Sequence, residues 1–245
     1  MFFSRLHKNL KRQDWFTVGL EFLAVVFGVY LALQAENWNE WRKERVQEQQ
    51  FLQRLHEAIV ESNATMRFAI DYMGEHARMA GVVMKSLDAC QIAAADRRDV
   101  ANGLYQLGTV VPPYLPEGVF NELRIAGKAD IIRSEAIRNS ISTAVTGYDY
   151  YMSFHDDVVD RITPQAIYVG NHVVFHIDPE VGAKQFIEWD ETTFDISTVC
   201  DDSRFKAAIA GVRRLTYEVI KWNELALHRH ERLAETLASE LKQVN

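Results

Sequence analysis

His172 and His176 stand four residues apart in the run NHVVFHIDPE. On a helix that spacing turns two imidazoles toward one metal ion, and Asp178 or Glu180 would complete the ligand set. A zinc hydrolase of the helical type also needs Glu directly after the first His, and Val173 holds that place. The competing reading is polar decoration at a helix end. A second cluster joins His155 to Asp156, Asp157 and Asp160. Asp156 and Asp160 share a helical face, which suits a hard divalent cation. His155 falls on the apolar stripe instead, so the alternative is one histidine at the core edge beside three solvated carboxylates. His228-Arg229-His230 reads either as a pH sensor, because histidine titrates nearest neutrality, or as a solvated turn of the last helix. Asn63-Ala64-Thr65 matches a glycosylation acceptor but lies in a helical pattern. The acids between Glu188 and Asp202 fit no EF-hand spacing and read as a hydrated loop. The chain has no Gly-rich phosphate loop, no GxSxG elbow and no Cys–His motif of recognised spacing.

The cysteines carry redox rather than catalytic chemistry. Cys90 and Cys200 show no CxxC and no zinc-finger spacing. In an oxidising compartment they can pair; in a reducing one they are free thiols. Each lies just outside a predicted long helix, so a disulfide forms only if those helix ends meet.

One ionisable residue sits in an unusual place. Trp15 to Leu33 is an apolar run broken only by Glu21. At about 1.5 Å rise per residue, such a helix crosses a hydrocarbon core of about 30 Å with little tilt. Thr17, Glu21, Ala24, Gly28, Ala32 and Ala35 follow at steps of three or four. They make a polar-and-small stripe on which helix backbones can approach closely. A carboxyl facing lipid is costly, so Glu21 faces either a partner helix, giving a homo-oligomer through the span, or headgroup water near the cytoplasmic end. Cleavage after Ala35 or Ala32 would put Leu33 or Tyr30 three residues upstream, a poor signal-peptidase context, and the run exceeds the usual 7–15-residue signal core. Trp15, Trp38 and Trp41 read as interface anchors. The reading is an uncleaved signal anchor rather than a cleaved leader or a buried core helix.

Charge orients the anchor. Arg5, Lys8, Lys11 and Arg12 precede the span, and Arg42, Lys43 and Arg45 follow it, so the positive-inside bias is slight. It predicts a cytoplasmic basic arm over 1–14, a transmembrane helix over 15–35 and a domain over 36–245 outside. The whole chain carries −7; setting aside the arm's +3 and the single charge of Glu21 leaves −9 beyond the span. An acidic domain disfavours nucleic acid, while a basic arm suits an anionic membrane surface. The expected partners are the lipid bilayer, a second copy of the span and other envelope proteins; no cofactor is expected.

The elements that must position these residues are helical. Breakers are few: 12 Gly and 5 Pro in 245 residues. Leu52, Leu55, Ile59, Met66, Ile70, Met73, Ala77, Ala80, Met84 and Leu87 form one amphipathic stripe. This helix and the anchor can be one continuous element, with Asn37–Asn39 the expected site of any break. A short helix is predicted over 100–107. Pro112, Pro113 and Pro116 forbid regular helix in VVPPYLPEG. Phe120–Ala126 reads as helix with Gly127 as its stop. Ser134 caps the next helix, whose stripe runs Ile137, Ile141, Ala144, Tyr148, Tyr151, His155, Val158, Ile162 until Pro164 ends or kinks it. Residues 178–202 read as an acidic loop with a short strand near 193–196. Asp201 or Asp202 caps a final helix with the stripe Phe205, Ile209, Val212, Leu215, Val219, Trp222, Ala226, Leu233, Leu237, Leu241. Three long stripes cannot be buried singly, so the predicted class is all-α: an N-terminal transmembrane helix continuing into an antiparallel bundle of long amphipathic helices.

Two stretches resemble a family of uncharacterised bacterial single-pass membrane proteins. That family shows a Glu-containing apolar helix, then Leu-Gln, then Asn-Trp-Asn-Glu. The corresponding residues are Glu21, Leu33, Gln34, Asn37, Trp38, Asn39 and Glu40. FNELRIAGKADIIRSEAIRN is similar to a family Glu-Leu…Ser-Gly…Leu-Ile-Arg segment, departing from it at Ala126 and at Asp130-Ile131. The likeness covers the first fifty residues and, less closely, 117–140. It implies a membrane-tethered helical protein of a bacterial inner membrane, with the domain over 36–245 in the periplasm, and carries no catalytic residue.

Three function classes are therefore in competition. A tethered interaction or scaffold module is favoured, because about fourteen residues before the span leave no room for a cytoplasmic output domain. A sensor-like bundle that binds a small ligand is the alternative, and a metal-dependent enzyme is the minority reading.

Overall fold

The computed structural model describes residues 15–125, 131–176 and 185–243. Among the described residues five α-helices dominate: α1 (Trp15–Ala89), α2 (Arg97–Tyr105), α3 (Glu117–Ile125), α4 (Glu135–Gly170) and α5 (Ser203–Gln243). The strand content of the described residues is one antiparallel pair, β1 (Val174–Phe175) with β2 (Thr192–Thr193). The all-α class expected from the breaker-poor composition is what the chain adopts.

The chain divides into two units, the first ending at Phe51 and the second starting at Leu52. In the first unit, every described side chain from Gly19 to Arg42 is exposed. α1 is the one described helix long and apolar enough to cross a membrane, and none of its apolar window is buried. The expected break at Asn37–Asn39 does not occur. Asn in a helix interior costs only tenths of a kcal/mol against a full ladder of backbone bonds, and no Pro or Gly lies nearby to interrupt it.

The second unit is the antiparallel bundle. Its core lies where the stripes of α1, α4 and α5 meet. Ala80, Val83 and Leu87 pack with Val169, Phe205 and Ile209 at one level. Met73, Val158, Ile162, Val212 and Leu215 fill the next. Met66, Tyr151 and Ala226 fill a third. Residue numbers fall along α1 as they rise along α5, the signature of antiparallel neighbours. Polar pairs repeat that register: Lys206 to Asp88 at 3.2 Å, Arg213 Nε to the Ala77 carbonyl at 2.8 Å, and Arg67 to Glu231 at 2.5 Å.

Local rules explain the ends. Ser134 Oγ accepts from the Ile137 amide and starts α4, as its residue type predicts. Pro164 neither ends nor replaces that helix, which runs on to Gly170. The buried Ile162 and Val169 on either side hold the segment in the core and outweigh the one lost backbone bond. Asp202 Oδ1 accepts from the amides of Arg204 and Phe205 and caps α5. At the end of α1, Gln91 N–H donates to Ser86 O and Cys90 N–H to Leu87 O. This is a Schellman stop whose left-handed position, normally Gly, is Cys90 at φ 48°. The cost of that backbone is tolerated because Cys90 is bonded there to Cys200, with their Cα atoms 5.2 Å apart.

The proline-rich connector is not loose. Ser62 Oγ donates to the Tyr114 carbonyl at 3.0 Å, and Asn223 Nδ2 to the Val111 carbonyl at 3.1 Å. Buried polar side chains of α1 and α5 thus supply bonds that a chain without helix or strand cannot make for itself. Asn102 of α2 does the same for the acidic loop. Its Nδ2 donates to Ile187 O at 2.8 Å, and its Oδ1 accepts from Ile187 N at 2.7 Å. Gly103 lets α2 lie against α1, since a Cβ there would come within 2.8 Å of the Met79 backbone.

Candidate functional site

The histidine pair fails its helical premise. α4 stops at Gly170, so His172 lies in the following turn and His176 just after β1. His172 Nδ1 is 2.9 Å from Tyr168 O, and its ring stands edge-on to Phe205. His176 Nε2 is 2.8 Å from Thr193 Oγ1. Each imidazole is engaged with its own neighbours rather than with the other. Asp178 and Glu180 lie outside the described residues. Among the described residues no three His, Cys, Asp or Glu side chains are grouped to hold a metal ion.

The other clusters resolve by burial. Asp156, Asp157 and Asp160 are exposed, and Asp157 pairs with Arg161 at 3.3 Å. His155 turns to the core edge, with both ring nitrogens buried and without a hydrogen bond, Nδ1 lying 3.6 Å from Asp156 Oδ1. Of the triplet His228-Arg229-His230, only His228 is in solvent. His230 is 2 % exposed, with its Nδ1 3.3 Å from Ser62 Oγ. Burial pushes its pKa down to about 4, well below the ordinary histidine value. The solvated-turn reading therefore fails for His230. Its position four residues after Ala226 and three before Leu233 places it on the inner stripe, a signal already present in the sequence.

The small-residue stripe lies along a continuous helix from Glu21 to Ala35, all exposed, with nothing within 4 Å of a Cβ built on Gly28. Thr17 belongs to the same helix.

The concave site of the second unit was not anticipated. A cleft of about 430 Å³ lies between α3 and the first half of α4. That is within the range of small-ligand sites. Leu115, Phe120, Ile132, Ile141 and Val145 give it an apolar wall. Glu117, Tyr148 and Asp149 also line it, as does Arg138. Arg138 Nη1 donates to the carbonyls of Ile132 and Arg133. Burial first, then the negative charges of Glu117 and Asp149, raise the Tyr148 phenol above its ordinary value. Both carboxylates therefore bear on the Tyr148 hydroxyl. Sequence periodicity assigned Ile141 and Tyr148 to the core stripe, and Val145 sits beside them. All three are only half-buried, because they line this cleft.

Comparison of the chain with family models, with curated proteins and with solved structures gives no match. The functional reading therefore rests on the geometry above.

Proposed function

We propose that this chain is a membrane-tethered helical interaction module of a bacterial envelope. Residues 15–35 are the anchor, residues 1–14 face the cytoplasm, and the bundle works on the periplasmic side. The observation that carries the reading is the apolar stretch of α1, which has hydrophobic residues around its whole circumference and none buried. A helix apolar all round is at home in lipid, not in water. The Cys90–Cys200 bond supports an oxidising compartment. The resemblance carried by Glu21 and Asn37 to Glu40 supports a single-pass family. No reaction is assigned to the module.

Alkaline phosphatase fused after Asn245 is expected to be active, and a fluorescent cytoplasmic reporter at the same point dark. The reverse pattern would invert the topology, and recovery of the chain in the soluble fraction after carbonate washing would remove the anchor. The cleft beside α3 favours a second reading, a sensor-like bundle that takes a small ligand.

A further inference from the structure

We infer that the cleft between α3 and α4 binds an amphipathic cation, an apolar body ending in an ammonium group, with the body along Phe120, Ile141 and Val145 and the head between Glu117, Tyr148 and Asp149. This rests on the second reading above, that the cleft is a ligand site.

Shape and charge carry the assignment. The cleft is long rather than round. Arg138 and Asp149 both line it, and eleven residues of α4 separate them, roughly 16 Å of helix. Its wall between those points is mainly apolar, with Asn121, Ser142 and Thr146 set among Phe120, Ile141 and Val145, so the body of the ligand is mainly apolar. The two ends differ. At one, Arg138 has an Nη1 committed to the main-chain carbonyls of Ile132 and Arg133. At the other, Glu117 and Asp149 are exposed carboxylates that form no ion pair or side-chain hydrogen bond among the described residues. Two like charges facing one phenol repel each other, and a cation between them relieves that repulsion. The phenol adds an aromatic face and an oxygen acceptor, both suited to an ammonium group. Burial is the main cause of the raised Tyr148 pKa, and the smaller contributions of Glu117 and Asp149 have the sign of a field that favours a positive charge.

The test uses the full chain in lipid nanodiscs, with empty nanodiscs as the blank, and three probes that share one body: 4-phenylbutylamine, 4-phenylbutanol and 4-phenylbutyrate. Calorimetric titration is expected to rank the amine at least tenfold tighter than the alcohol, with the acid weakest. Glu117→Gln with Asp149→Asn should bring the amine down to the affinity of the alcohol while leaving the alcohol unchanged. Val145→Trp, at a half-buried site on the wall, should abolish binding of all three; circular dichroism checks that each variant is folded. If the alcohol or acid binds as tightly as the amine, the charge assignment is overturned and the ligand site stands. If no probe binds above the blank, or if Val145→Trp binds like the parent, the ligand site itself falls, and the inference with it.

Discussion

Two stretches of α1 are built from similar residues and meet opposite surroundings. Between 20 and 33 the apolar side chains point in every direction; Leu23 is 65 % exposed. Between 52 and 87 all but a few, such as the exposed Val60 and Phe68, keep to one side; Leu55 is 0 % exposed. Both are helical, and by the same ladder of backbone bonds. What separates them is the arrangement of polar residues. Glu57, Glu61 and Arg67 leave a wet face on the second stretch, so water can solvate one side while the bundle takes the other. The first stretch has only Glu21, too little for any face to be water's. The comparison shows that helix formation and helix destination are separate outcomes: propensity decides the first, the angular distribution of apolar groups the second.

The largest expected effect comes from the point where the second stretch ends. Cys90→Ala with Cys200→Ala opens a closure of 110 residues. It should lower bundle stability by about 4 kcal/mol through the freed unfolded chain. Thermal unfolding with and without reductant measures this, and a parent whose melting ignores reductant would remove the bond from the ledger of stability. Leu55→Ala sharpens the contrast within α1. It should cost about 3 kcal/mol by leaving a cavity in the core. Leu23→Ala should leave bundle unfolding unchanged, and equal losses at the two sites would mean that the first stretch is also packed in protein.

Acid should act on the second stretch and its partners only. His230 packs against Ser62 of α1, and its pKa falls from 6.5 to about 4 on folding. A group depressed in the folded state binds fewer protons there than in the unfolded chain, so its contribution is complete above pH 6.5. It is lost as pH falls toward 4, and below that no further loss comes from this residue. His76, also buried and lowered, adds in the same direction. The paired acids Glu75 and Asp99 are lowered by Arg78. They lose stability only at more acid values, below about pH 4. Denaturant midpoints measured between pH 7 and 4 should decline, and His230→Asn should flatten that decline. An unchanged slope would assign it to other groups.

The smallest expected effect concerns the first stretch alone. If the Glu21–Gly28 stripe is a helix–helix interface, Glu21→Ala and Gly28→Ile should weaken self-association of the isolated span by about 1 kcal/mol each in a membrane two-hybrid reporter. Association equal to the parent would make the span a plain anchor.

Local chemistry made much of this protein legible. The stripes of α1, α4 and α5 were readable because a 3.6-residue period survives any tertiary arrangement. Ser134 was readable as a cap, and so was a cap at Asp201 or Asp202, because a side chain satisfies amides two or three residues away. Gly170-Asn171 directly before His172 is a helix-stop pair, a local signal that the four-residue histidine spacing outweighed in the reading. Other features depended on groups far apart in sequence. Nothing near His230 but its register shows that it is buried. Asn102 looks like any helix-surface amide until Ile187 arrives 85 residues later to bond both its Nδ2 and its Oδ1.

The sequence by itself determined the class of fold and the bilayer-length apolar helix, because both depend on the order of polar and apolar residues along one element. Only the tertiary structure decided that Cys90 meets Cys200 and that Ile141 and Tyr148 of the α4 stripe line an open cleft. Each of those is a relation between elements. Periodicity states that a face is apolar; whether another helix covers it depends on the lengths and registers of all the others.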